Sequence, residues 1–179
     1  MYYPLMLKVK GQSCLIVGGG AVALQKARAL RKAGAKVTAV SPAFTPAFRR
    51  LAVRRIRRRF RAADVARRTL VIAATDSTDV NRAVSAACRK RGIPVNVVDV
   101  PELCTFIVPS ILRRGPVVVA VSTGGQSPSL AKALRRRLES VLPASLGRTA
   151  RRLGAARRRI LRALPPSPAR TRLLKGLVR

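Results

Sequence analysis

Apolar residues along the chain recur in two alternating rhythms. Ser13 to Val17 is a short apolar run that stops at Gly18-Gly19-Gly20, and Ala23, Ala27 and Leu30 then recur at helical spacing. That is the order strand, tight turn, helix. Lys26, Arg28, Arg31 and Lys32 fall mostly on the opposite side of this helix, and Gly34 supplies its stop signal. Lys36 to Val40 reads as a second buried strand, Phe44 to Leu51 as a short helix and Arg54 to Phe60 as a basic edge strand. Thr69 to Ala74 is a third apolar strand. The stretch Asp79 to Arg91 carries Val80, Val84 and Ala87 on one helical face, Gly92 ends it, and Pro94 to Val98 is strand again.

Strands alternating with helices at this spacing predict βαβ units and a parallel sheet of the α/β, doubly wound class. Beyond about Pro109 the pattern changes. Pro116 to Ser122 reads as one more strand, and Ser127-Pro128 gives an N-cap followed by proline at the first helical position. Leu130, Leu134, Leu138 and Val141 form the apolar stripe of the helix that follows. Pro143 to Leu164 is an Arg-rich amphipathic helix or helix pair with Leu146, Ala150, Leu153, Ile160 and Leu164 on its buried side. Pro165-Pro166-Ser167-Pro168 breaks it and leaves a short basic tail.

Composition changes the picture in one respect. The 179 residues include 38 Lys and Arg against 6 Asp and Glu, no His, and a net charge of +32, yet 48% are hydrophobic. A disordered basic tail lacks that apolar content, so a folded core is expected, and the length suits one domain with an appendage. No carboxylate precedes Asp64. The excess points to a polyanionic partner, with nucleic acid, an anionic membrane surface and a polycarboxylate metabolite all qualifying, or to solvated arginines that bind nothing specific. Cys14, Cys88 and Cys104 are widely spaced and odd in number, which fits a reducing cytoplasm better than a disulfide framework or a thiolate zinc site. No apolar stretch approaches the roughly 18–20 residues that span a bilayer. The amino-terminal MYYPLMLKVKGQ lacks the features of a secretion signal and is expected to be mature structure.

Candidate chemistry clusters at predicted strand ends. Gly18-Gly19-Gly20-Ala21-Val22-Ala23 satisfies G-x-G-x-x-A between strand and helix, where glycines let a pyrophosphate approach backbone N–H groups at a positive helix end. The acid that commonly holds the adenosine ribose after the second strand is missing, because that region reads Val40-Ser41-Pro42-Ala43. The choice between NAD and NADP therefore stays open at this point. Proton transfer has six candidates: Asp64, Asp76, Asp79, Asp99, Glu102 and Glu139. Asp64 and Asp79 are expected to be caps and Glu139 an ion-pair partner, whereas Asp76 and Asp99 follow strands at the ligand-binding edge. Ser122-Thr123-Gly124-Gly125-Gln126-Ser127 reads either as a receptor for carboxylate or phosphate or as structural capping alone.

Taken together, GQSCLIVGGGAVALQKARAL, AATDSTDVNRAVS, NVVDVPELCTFIVPSILRRGPVVVAVSTGGQSPSLAKALR and LESVLPASLGRTA resemble the precorrin-2 dehydrogenase family, the dehydrogenase and ferrochelatase module of siroheme synthase. The resemblance covers residues 4 to 150. It implies a homodimer with a Rossmann-like NAD-binding domain over residues 1–112, a dimerisation segment over 113–142 and a short helical carboxyl domain over 143–179. It further implies oxidation of precorrin-2 by NAD+ to sirohydrochlorin in siroheme biosynthesis, with Fe2+ insertion in some relatives. Gly18, Gly20, Ala21 and Val22 match the nucleotide turn, Pro42 and Ala43 the second nucleotide contact, with Ser41 beside them a further cofactor-binding candidate, and Thr75 and Asp76 lie in a further matching strand-end segment. Asp99 matches the family's catalytic aspartate and is the one residue available to guide a metal; Ser122, Thr123, Gly124, Gly125 and Ser127 are the expected substrate loop. Against the family pattern, Arg49 to Arg61 is unusually basic and histidine is absent. Two other readings remain, a basic nucleic-acid-binding protein on a Rossmann-like sheet and a non-catalytic NAD-binding regulatory module.

Overall fold

The computed structural model describes residues 2–177. The chain divides into two compact units after Val108. In the first unit, five strands form one parallel sheet: β1 (Ser13–Val17), β2 (Lys36–Val40), β3 (Arg54–Ile56), β4 (Leu70–Ala73) and β5 (Val95–Val97), in the order β3-β2-β1-β4-β5. Chain order reverses at β1, whose flanks are β2 and β4 in register Val17↔Val40 and Val17↔Ala73. That reversal opens a crevice at the carboxyl ends of β1 and β4.

The apolar runs become strands because both faces of a parallel sheet are covered. Along β1, Cys14 and Ile16 join the core that includes Ala23, Leu24 and Ala27 of helix α1 (Ala21–Lys32). Leu15 and Val17 point the other way, into a second core with Val84, Ala87 and Cys88 of helix α3 (Thr78–Arg89). Between α1 and α3 in chain order comes the short helix α2 (Pro46–Arg49), capped by the Thr45 hydroxyl, which accepts from Phe48 N at 3.3 Å. The fully buried Phe48 anchors it in the first core.

Several expectations need correction. The basic edge strand is confined to Arg54–Ile56, and the residues after it form a loop and a 3-10 turn at Ala62–Val65. Asp79 does not cap α3: Ser77 does, its hydroxyl accepting from Val80 N at 3.4 Å, and Asp79 sits in the first turn. Asp64 does act at a helix start, accepting from Arg61 N at 2.8 Å, and it also binds the Arg58 guanidinium at 2.6 Å. That hydrogen bond holds the Asp64 carboxyl below the usual range against the opposing effect of burial.

The second unit begins with an antiparallel hairpin, β6 (Ser110–Arg114) and β7 (Val117–Val121), of which only the second strand was expected. Gly115, at φ 61°, makes the left-handed turn between them. Helix α4 (Pro128–Val141) starts where Ser127-Pro128 places it, with the Ser127 hydroxyl accepting from Leu130 N at 3.2 Å. Its apolar stripe is not buried by this chain: Leu130, Leu134, Leu138 and Val141 are 51%, 38%, 37% and 76% exposed. Glu139 pairs with Arg135 and lies 3.7 Å from Arg114, as an ion-pair residue should. Pro143 to Leu164 resolves into a single helix, α5 (Leu146–Ala163), whose expected apolar side is half-buried. The expected tail is instead helix α6 (Pro168–Gly176), capped by Ser167; Val178 and Arg179 of that tail lie outside the described residues. No helix among the described residues is long and apolar enough to cross a membrane.

Candidate functional site

The crevice at the sheet's carboxyl edge is a cleft of about 610 Å3. It is lined by the β1 end (Val17 to Gly20) and the first turn of α1 (Ala21, Val22). The β2 end (Val40 to Ala43), the loop after β3 (Arg59, Phe60), the β4 end (Ala74 to Ser77) and Val80 of α3 complete it. Every cofactor-binding residue expected from sequence is in this lining: Gly18, Gly20, Ala21, Val22, Ser41, Pro42, Ala43, Thr75 and Asp76.

Three consecutive glycines do three different things. Gly18, at φ 127°, donates to Val40 O at 2.9 Å, and a Cβ there would overlap the Ala74 carbonyl oxygen. At Gly19 a Cβ would overlap the Ala43 carbonyl oxygen and meet Ser41 Oγ at 2.9 Å. Both glycines therefore let the turn pass between the β2 and β4 ends. Gly20 is the N-cap of α1, and a Cβ there would meet nothing within 4 Å. No side chain caps this helix and no acid occupies its first turn. Its leading N–H groups thus face open space lined by small residues, a fit to the pyrophosphate of a dinucleotide.

At the β4 end, polar side chains hold one another. Thr75 Oγ1 lies 2.9 Å from Asn81 Oδ1 and accepts from Ser77 N at 3.3 Å, and Asn81 Nδ2 donates to Thr75 O at 3.0 Å. Asn81 is buried, so this network fixes the loop that presents Asp76, itself exposed, to the cleft.

Asp99 follows β5 in an exposed turn at φ 60°, outside the lining of the cleft but at the same edge, beside a backbone bond from Val98 N to Ala73 O of 3.0 Å. A left-handed non-glycine residue costs of the order of 1 kcal/mol and clusters at functional sites. Among the described residues the ion-paired carboxylates are Asp64 and Glu139, and Asp99 is in no ion pair. The expected substrate loop belongs to the second unit. There Thr123 Oγ1 accepts from Ser127 N at 3.0 Å, Gly124 N donates to Ser122 Oγ at 3.1 Å, and Gly124 and Gly125 have φ of 63° and 91°.

Burial pushes the Cys88 thiol up to about 11 and raises those of Cys14 and Cys104, which keeps all three protonated at neutral pH. No group of three or more His, Cys, Asp or Glu among the described residues gathers to hold a metal, at Asp99 or elsewhere. Sequence reasoning missed Gly19, Arg59, Phe60, Ser77 and Val80 in the cleft, besides the strand-end residues Val17, Val40 and Ala74. Gly19 occupies a variable position of the glycine pattern, while Arg59 and Phe60 were absorbed into a strand that ends at Ile56.

Comparison with known proteins places these features. Residues 5–110 match the family model described as "Putative NAD(P)-binding", and residues 114–140 match "Sirohaem biosynthesis protein central". The siroheme synthase of Thioalkalivibrio sulfidiphilus is 55% identical over 153 residues, 83% of this chain and 31% of that protein. That of Nitrosomonas eutropha is 52% identical over 154 residues, 83% of this chain and 32% of that protein. The chain thus spans about a third of the length of these curated relatives. Among solved structures, SirC, a precorrin-2 dehydrogenase, superposes with a TM-score of 0.80 at 26% identity, over 99% of this chain and 90% of that one.

Proposed function

The chain belongs to the NAD(P)-binding family of sirohaem biosynthesis, and on that premise we propose that it oxidises precorrin-2 to sirohydrochlorin with NAD+ as hydride acceptor. The observation that carries the proposal is the glycine-lined cleft with its uncapped helix, in a chain that follows a precorrin-2 dehydrogenase over nearly its whole length. Bound in the cleft, the dinucleotide supplies the hydride acceptor. The α1 N-terminus and Gly20 hold its pyrophosphate, and the β2 and β4 ends receive the two nucleoside halves.

Removing two hydrogens from a carbon pair sends a hydride to the nicotinamide and a proton to a base. Asp99 is that base in this reading: a carboxylate at the sheet's carboxyl edge, in no ion pair among the described residues and held in a strained turn. In this reading the Ser122 to Ser127 loop receives substrate carboxylates, and the chain's net charge of +32 draws the polyanionic macrocycle in. The exposed stripe of α4 serves a homodimer interface.

Asp99→Asn tests the assignment, because asparagine tolerates the left-handed backbone as aspartate does. The variant is expected to fold and bind NAD+ normally while turnover falls by at least about 100-fold. A folded Asp99→Asn protein with near-normal turnover would remove Asp99 from the mechanism.

A further inference from the structure

The cleft has a cationic corner that the proposed reaction does not use. In dinucleotide folds the residues after the second strand lie beside the adenosine ribose, and a carboxylate there selects the free 2′-hydroxyl whereas an arginine accepts a 2′-phosphate. Here β2 ends in Val40-Ser41-Pro42-Ala43, without an acid. Among the described residues Asp76 is the one carboxylate in the lining, and it follows β4, on the other side of β1 from β2.

The loop after β3 fills the place of the missing acid. β3 neighbours β2 in the sheet, and two bonds tie the loops that leave them: Ser41 N to Ile56 O at 3.2 Å, and Arg57 Nε to Pro42 O at 3.4 Å. Three successive arginines then have separate fates. Arg57 is spent on the Pro42 carbonyl and Arg58 on Asp64 at 2.6 Å, while Arg59 lines the cleft with no ion pair among the described residues. The Ser41 hydroxyl lies over the glycine turn in the same lining.

We propose that Arg59, with Ser41, forms a 2′-phosphate subsite, so that the cleft accepts a 2′-phosphorylated dinucleotide as well as NAD+. The inference rests on the cleft being the dinucleotide site. An unpaired guanidinium suits a phosphate dianion because it donates two parallel hydrogen bonds, a geometry that lysine cannot reproduce.

A field of this size attracts any extra phosphate, so the test compares isomers of equal charge. Calorimetry on the full chain at moderate salt would measure 5′-AMP, adenosine 2′,5′-bisphosphate and adenosine 3′,5′-bisphosphate. The 2′,5′ isomer is expected to bind about tenfold more tightly than the 3′,5′ isomer, and Arg59→Gln, at an exposed position, should bring that ratio close to one. Equal affinities for the isomers in the wild type, or a preference that survives Arg59→Gln, would overturn the subsite while 5′-AMP binding left the cleft assignment standing. Failure of all three nucleotides to bind would sink both.

Discussion

At the scale of single residues, Gly19 and Gly20 separate folding from binding. A methyl at Gly19 would overlap the backbone carbonyl of Ala43, which no rotamer change can relieve, and would also meet the Ser41 hydroxyl. Gly19→Ala is therefore expected to cost about 1–3 kcal/mol, read as a lowered melting temperature. A methyl at Gly20 meets open space, and its φ of −82° suits any residue. Gly20→Ala should change stability by less than about 1 kcal/mol yet weaken NAD+ binding severalfold, because the methyl would stand where the pyrophosphate approaches. The motif made Gly18 and Gly20 legible in the sequence. Gly19 was not, since its constraint comes from a carbonyl 24 residues away.

Asp64 has a pH signature. Its carboxyl is held below the usual range by the Arg58 hydrogen bond, so the stability it supplies is present above the unfolded carboxylate value and is lost as pH falls through the folded one. Unfolding followed from pH 6 downward should steepen below about pH 4, and Asp64→Asn should flatten that region. An unchanged profile in the variant would mean that the Arg58–Asp64 pair adds nothing to acid stability.

At the scale of elements, the parallel strands were legible because burial on both faces leaves uninterrupted apolar runs. The hairpin was half legible. In β6, Ser-Ile-Leu-Arg-Arg buries only Leu112, too little to mark a strand beside Gly115-Pro116. The last helix was overlooked although Ser167-Pro168 repeats the signature of Ser127-Pro128; the proline cluster before it reads as a breaker. The stripe on α4 was recognised as apolar, but no periodicity reveals whether its cover is the same chain or a second copy. If it is the dimer face, Leu134→Glu with Leu138→Glu should yield a monomer by light scattering with helical content retained. A dimer that persists in this variant would place the interface elsewhere.

For the whole molecule, charge sets the terms. A net +32 on 179 residues repels itself, and at 0.1 M salt screening acts over about 10 Å. The melting temperature is expected to rise by several degrees between low and moderate salt, and a flat response would show that the arginines are already neutralised by what surrounds them. The cleft is lined mostly by uncharged residues, with Arg59 and Asp76 as the charged side chains in its lining among the described residues.

The most direct measurement is an anaerobic reaction of the purified protein with precorrin-2 and NAD+ at moderate salt, following NADH and sirohydrochlorin together. One NADH per sirohydrochlorin, with neither formed when NAD+ is omitted, is the predicted result. NAD+ binding without either product would contradict the dehydrogenase and leave a nucleotide-binding module.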